Sequence, residues 1–578
     1  MRWSKQIGFL MLMSMVACRP SPQPIPDQQV EVSDSIKVYT ISDTSALVMR
    51  SKLPSLFISM EENDKALIYG DKSQWASASI VLFLPDGTNE YEGDISIKTR
   101  GNSSWETPEK KSFTIKLSQS ERLLGKEKEK SFTLLNNILD ASFIRNAMAF
   151  HLSNTLGIFA PDFTFITLYL NGDYLGVYQM TNQIKVGKRS VNVVDLEKEN
   201  KRVNDQPLSE YPAFSIKELW MVGYKRGVCI ANPEDITGGY LLDYNGSHDS
   251  YKNEISYFIS NTGDPIRIKS PKHASPEQVA YIANFYDQLE AAVMDPSGHH
   301  PVTGKHYSEY IDMESFARYF LLQEITQNLD GGWCSFYMHK DVGDSSKMVA
   351  GPAWDFDRAM QRLENPKYAF NMLWTVSKST LKKYPNSGGL LYWLWQHEDF
   401  QDLAKNIYFE ELYVYLKDTQ WQIYADSLIV LLCDEFKREQ TRFPTGQTTT
   451  YQEYTNEVIN FLKERNDFLY WLWTADRSDI VSIHITGCYD PNHNDKEKDL
   501  ILYGNKTDGV MLPKFIWSPD SYRDPRLLGY FLCGTNTKLE EGTRLYSNQC
   551  VEIRWKYPNW FEAQYRRICN KLKRMFHK

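Results

Sequence analysis

Alternation and helical periodicity divide the chain into three stretches. From Leu53 to Leu117 the runs Leu56–Ser59, Ser79–Leu84, Asp94–Arg100 and Lys110–Leu117 are rich in β-branched and aromatic residues. Turn signals such as Pro85-Asp-Gly87 separate them, so they predict strands. Residues 140–156 place Ile144, Met148 and Leu152 on one helical face, with Asp140 at the N-cap and Gly157 at the C-cap. Phe163–Met180 alternates about Asn171-Gly172, a strong hairpin signal, and Gly238–Asp243 reads as a further strand. From Ser275 a period near 3.6 takes over. Pro276–Met294, Asp312–Gln327, Gly389–Trp395, Phe400–Lys417, Gln420–Arg438 and Tyr451–Trp473 predict helices. Beyond Asp476 short strands return at Ile480–Ile485, Leu500–Tyr503, Gly509–Trp517 and Thr543–Trp555. The order predicts an α+β protein: a β-rich lobe over 53–270, an α-rich lobe over 271–475, and an appended β-rich domain over 476–578.

Where the first lobe gives way to the second, Asn328–Arg358 concentrates acidic residues. Asp330 lies in a Gly-rich turn, followed by a strand-like run Ser335–Lys340 and a polar turn at 341–347. A second strand ends in Gly351-Pro-Ala-Trp-Asp355-Phe-Asp357. A hairpin returns its far end to its near end, so Asp330 is expected beside Asp355 and Asp357. Carboxylates gathered at strand ends repel unless a hard divalent cation neutralises them. An isolated D-x-D is more often a solvated loop, but here Trp354 and Phe356 interleave with the acids and Gly351-Pro352 stiffens the approach.

Two features of the first lobe complement these acids. Lys111 shares strand parity with Phe113, Ile115 and Leu117, so a cation ends an apolar face and calls for an anionic partner. The turn Arg100-Gly101-Asn102-Ser103-Ser104 offers backbone N–H groups and hydroxyls of the kind that cradle phosphates.

Composition narrows the class. A formal charge of −8 and pI near 5.9, with no basic stripe, argue against a nucleic-acid partner. Met1-Arg2 and Lys5 precede an apolar run, Ile7–Val16, too short to span a bilayer as a helix, and Ala17-Cys18 closes it. That pattern predicts a lipoprotein signal over 1–18, a lipidated Cys18, and a tether and extension over 19–52. The protein is therefore expected at the cell envelope, held in the membrane by its lipid. No C-x-x-C pair suggests zinc, and Cys488, Cys533, Cys550 and Cys569 crowd the last quarter, where one or two bridges are expected.

Taken together, IKTRGNSSW (97–105), KKSFTIKL (110–117), DASFIRNAMAFHL (140–152), YLNGDYLGVYQM (169–180), GGYLLD (238–243), NLD (328–330) and GPAWDFDRA (351–359) resemble the CotH kinase family. The resemblance implies a two-lobed, atypical protein-kinase-like fold that uses ATP and Mg²⁺ to phosphorylate Ser or Thr of a protein. It implies Lys111, or its neighbour Lys110, as the ATP-phosphate lysine, assisted by Arg100, Asn102 and Ser103. Asp330 corresponds to the catalytic aspartate, and Asp355 with Asp357 to the metal-holding acids. Ser335 stands where relatives can carry a metal-binding Asn. Asn182 stands near the usual position of a Glu, and would leave the lysine short of a charge partner. These departures raise a second expectation, a catalytically weak or inactive scaffold that binds an envelope protein or glycan.

Overall fold

Seven strands of the first stretch curl into a closed barrel: β1 (Ser55–Ser59), β2 (Ala76–Phe83), β3 (Asn89–Arg100), β4 (Ser112–Glu121), β5 (Glu129–Leu135), β6 (Phe163–Leu170) and β7 (Asp173–Asn182). The order is β1-β2-β3-β4-β5-β7-β6, and β1 closes the ring by pairing in parallel with β6. Alternation explains the interior. Ile95, Ile97, Phe113, Ile115, Phe132 and Leu134 point inward and are buried, each worth about 1.5–3 kcal/mol when fully removed from water. Asn171 and Gly172 both hold positive φ, as the tight Asn-Gly hairpin turn requires.

This computed structural model describes residues 51–101, 103–107, 110–216, 223–244, 254–332, 334–362, 369–375, 389–443, 449–490, 495–513 and 526–556. The expected signal, Cys18, the tether, Asn102 and Cys569 lie outside them, as does the Cys488 side chain.

A second, antiparallel sheet follows: β8 (Ala213–Ile216), β9 (Lys225–Val228), β10 (Tyr240–Tyr244), β11 (Tyr257–Ile259), β12 (Pro265–Ser270), β13 (Phe336–Lys340) and β14 (Met348–Ala350). Its order, β14-β13-β10-β12-β11-β9-β8, crosses the boundary expected at residue 270. Among the described residues, the strands between 213 and 270 hydrogen-bond to the acidic hairpin through the β10–β13 pair, and not to the barrel.

The helices Pro276–Met294, Met313–Thr326, Gln420–Arg442 and Tyr451–Thr474 contribute to one apolar core with this sheet. Pro276–Met294 begins on a Ser275/Gln278 capping box with Pro in the first turn. Phe400–Lys417 is one helical run broken by a π turn at Tyr408–Leu412. The helix expected from Asp140 starts instead at Arg145. Phe143 holds φ 63°, which no right-handed helix accommodates, and Asp140 spends its carboxylate on the loop, accepting from Ser142 N–H at 2.9 Å and Arg145 N–H at 2.8 Å.

A third sheet, β15 (Ile480–Asp490), β16 (Asp495–Asn505), β18 (Arg526–Leu532), β19 (Lys538–Leu539) and β21 (Gln549–Lys556), is accompanied by the short pair β17 (Val510–Met511) and β20 (Arg544–Leu545). Among its described residues, Cys533 and Cys550 form a disulfide.

Candidate functional site

Helix Met313–Thr326 stops where Gln327 enters the left-handed region at φ 42°, and the chain turns sharply through Asn328 and Leu329 into Asp330. The turn is tight: Asp330 N–H donates to Asn328 Oδ1 at 3.2 Å, and Cys334 N–H donates to the Asp330 carbonyl at 3.0 Å. A Cβ on Gly331 would sit 2.4 Å from Gln323 Oε1 and 3.0 Å from the Asn328 carbonyl, so this position needs glycine. The β13–β14 hairpin then returns the chain to Asp355. Ser335 Oγ donates to Asp355 Oδ2 at 2.8 Å, and Asn328 Nδ2 to the Asp355 carbonyl at 3.2 Å. Phe356 N–H donates to Asn146 Oδ1 at 2.8 Å, tying the acidic loop to helix Arg145–Thr155.

The charges in this loop are strongly coupled. Burial pushes the Asp355 carboxyl up to about 6, and the negative charges of Asp330 and Asp243 add to it, while Ser335 and Arg100 oppose. Asp357 is pushed well above the usual carboxylate range, first by burial and then by Asp355, Asp330 and Asp140, with Arg358 opposing. The structure thus brings Asp330, Asp355, Asp357 and Ser335 into one cluster. Arg100, at the end of β3, faces it from the barrel: its guanidinium lies 5.5 Å from the centre of the Trp354 ring and its charge acts on Asp355. Asp243 on β10 is fully buried and ion-paired with Arg267 of β12.

The donors are oxygens, which suits a hard cation such as Mg²⁺. Among the described residues, no three His, Cys, Asp or Glu side chains form a ready-made metal cage.

The other expected residues sit differently. Ser103 opens a short 3-10 turn, Ser103–Trp105. The loop around it is held by lysine: Lys72 Nζ donates to the Gly101 carbonyl at 2.8 Å, and Lys111 Nζ to the Trp105 carbonyl. Lys111 Nζ also stands 4.4 Å from the centre of the Trp105 ring. Lys110 is fully buried in an ion pair with Glu439 of helix Gln420–Arg442 and donates to the Val177 carbonyl at 3.1 Å. The lysine is thus not short of a charge partner, as the Asn182 position suggested. Asn182 lies opposite Phe132, five residues along β7 from Val177 and so about 16 Å away, and its Oδ1 is buried without a partner among the described residues.

Glu439 and Asp243 escaped the sequence reading. Glu439 is separated from Lys110 by 329 positions, with no local pattern to mark it. Lys98 with Arg100, and Arg267 with Lys269, carried a legible signal: each pair alternates with buried residues on its strand.

The acidic oxygen cluster, with Arg100 acting on it, thus lies where the barrel meets the second sheet. Residues 97–469, well over half the chain, match the family model described as CotH kinase protein, and the chain belongs to that family. The match covers Arg100, Asp330, Asp355, Asp357 and Glu439 and ends before the third sheet. No curated protein matches the chain.

Proposed function

We propose that the protein is a CotH-type kinase that transfers the γ-phosphate of ATP to a Ser or Thr hydroxyl of an exported protein, with the barrel and the helical region as its two lobes. The observation that carries this is the Asp330–Asp355–Asp357 cluster facing Arg100. In the transfer, the acceptor oxygen bonds to the γ-phosphorus as the bond to the β–γ bridging oxygen breaks, and ADP leaves. Asp330, on its tight turn, takes the hydroxyl proton. Asp355 and Asp357, with the Ser335 hydroxyl, would hold Mg²⁺, which neutralises phosphate charge. Arg100 supplies positive charge from the barrel side, and the 101–105 loop offers phosphate-binding N–H groups. A lipid on Cys18 would keep this activity at the membrane surface of the envelope.

The engagement of both Lys110 and Lys111 inside the protein favours a second reading, the weak or inactive scaffold. Thermal unfolding of the chain without its leader, with ATP, Mg²⁺ or both, separates the two. A melting rise of about a degree or more that needs both ligands, and is lost in Asp355→Ala, supports the kinase. No shift at saturating nucleotide and Mg²⁺ overturns it in favour of the scaffold.

A further inference from the structure

Beside the acidic cluster lies a surface of opposite sign. On β3, Lys98 and Arg100 alternate with the buried Ile97 and Thr99. On β12, Arg267 and Lys269 alternate with the buried Ile266 and Ile268. The barrel and the second sheet bring these rows together. The charges of Lys272, Arg100 and Lys269 all act on Lys98, and that of Arg267 acts on Lys72.

Among the described residues, carboxylates balance this surface only in part: Glu254 also acts on Lys98, and Glu106 on Lys72. Asp243 is taken by Arg267, and Glu254 lies 3.0 Å from Lys269 and 3.7 Å from Arg267. Lys98 and the exposed Lys272 add charge beyond those pairs. Repulsion and burial both hold the Lys98 ammonium below its usual range, with burial the larger effect. In a chain of net charge −8, cations gathered at such cost mark a surface that meets an anion. Lys98 also stands 5.1 Å from the centre of the Trp75 ring, and Trp75 is 44% exposed, which adds an aromatic platform.

The position decides which anion. Arg100 lies at the end of this row that faces the acids and acts on Asp355, while Lys98 is one same-face step, about 6.6 Å, further out along β3. The surface therefore leads away from the acids, as the path of an extended acceptor chain would, and a basic chain would be repelled along it. We propose that Lys98, Lys269 and Lys272, with Trp75, dock an acidic segment of the acceptor protein whose hydroxyl reaches the acidic cluster. This rests on the kinase reading above.

The test uses the intact chain without its leader and two fluorescein-labelled peptides, one a serine flanked by glutamates, the other its lysine counterpart, read by fluorescence anisotropy. The acidic peptide binds about tenfold or more tightly than the basic one, and its affinity falls as salt rises. The double variant Lys98→Glu/Lys272→Glu loses that binding and keeps the melting shift with ATP and Mg²⁺, while Lys98→Arg/Lys272→Arg retains both. Equal or stronger binding of the basic peptide overturns the proposal. So does loss of the nucleotide shift in the charge-reversed variant, which assigns the surface to ATP. A parent with no nucleotide shift overturns the kinase reading alone; acidic-peptide binding lost on charge reversal then still assigns this surface to an acidic partner.

Discussion

Ser335 Oγ donates a 2.8 Å hydrogen bond to Asp355 Oδ2, and both residues hold left-handed backbone, at φ 52° and φ 72°. Neither is glycine, so each conformation costs on the order of 1–3 kcal/mol. Asn328 and Asn146 brace the acidic loop in place through its backbone. The loop is built to aim one carboxylate.

Ser335→Ala removes a donor that favours the ionised form of Asp355, so its carboxyl rises beyond about 6. Protons then compete better with a cation. Mg²⁺ binding, read by the melting shift with ATP, weakens several-fold at pH 6 and changes little at pH 8. A uniform loss at both values would show that the hydroxyl acts as a ligand and not through the carboxylate.

The same carboxyl makes stability depend on pH. Its folded value, about 6, lies above its ordinary 3.8, so the folded state binds more protons between the two. The stability it contributes is full below pH 4 and lost as pH rises through 6, by about 2–3 kcal/mol. Without divalent ions, Asp355→Asn flattens this part of the melting-temperature profile and raises the melting temperature at neutral pH. Added Mg²⁺ offsets the loss in the parent and not in the variant.

Much of this site was legible because its parts are local. The Asn171-Gly172 turn, the helix Pro276–Met294 and the hairpin that returns Asp355 towards Asp330 each follow from residues a few positions apart. Barrel closure was not legible, because β1 and β6 are more than a hundred residues apart and a strand's partner is set by the whole ring. The partner of Lys110 was not legible for the same reason, its carboxylate arriving from a distant helix. Asp140 was misread at one residue: a left-handed Phe143 turned an expected helix start into a loop.

That distant pair gives a further test. A Cβ on Gly176, at φ 95°, would lie 2.4 Å from Glu439 Oε2 and 3.1 Å from Lys110 Nζ, and Glu439 also accepts from Val177 N–H at 2.7 Å. Gly176→Ala is expected to cost about 2–4 kcal/mol. Glu439→Gln leaves a buried ammonium without its counter-charge and costs about 3–5 kcal/mol. Urea unfolding measures both, and a Glu439→Gln protein as stable as the parent would show that the pair is not held charged.

Trp374 links the acidic turn to the third sheet. Its indole N–H donates to the Asn328 carbonyl, and its ring shares an apolar cluster with Leu329, Val481, Ile483 and Leu502. Trp374→Phe keeps most of the packing and loses the hydrogen bond, at about 1–3 kcal/mol. The loss acts on the turn that carries Asp330, so on the proposed kinase reading phosphate transfer at saturating acceptor falls while the nucleotide melting shift is kept. Equal loss of both would place Trp374 in general stability.

Asn371 and Tyr503 exchange two 2.8 Å hydrogen bonds next to that cluster. The end of the family match at residue 469 is therefore not a place where the chain can be cut. A protein shortened there would expose Leu329, Met372 and Trp374 to water one residue from Asp330. Such a truncation would be sticky and slack around Asp330, and a failure to bind nucleotide would say nothing about the longer chain.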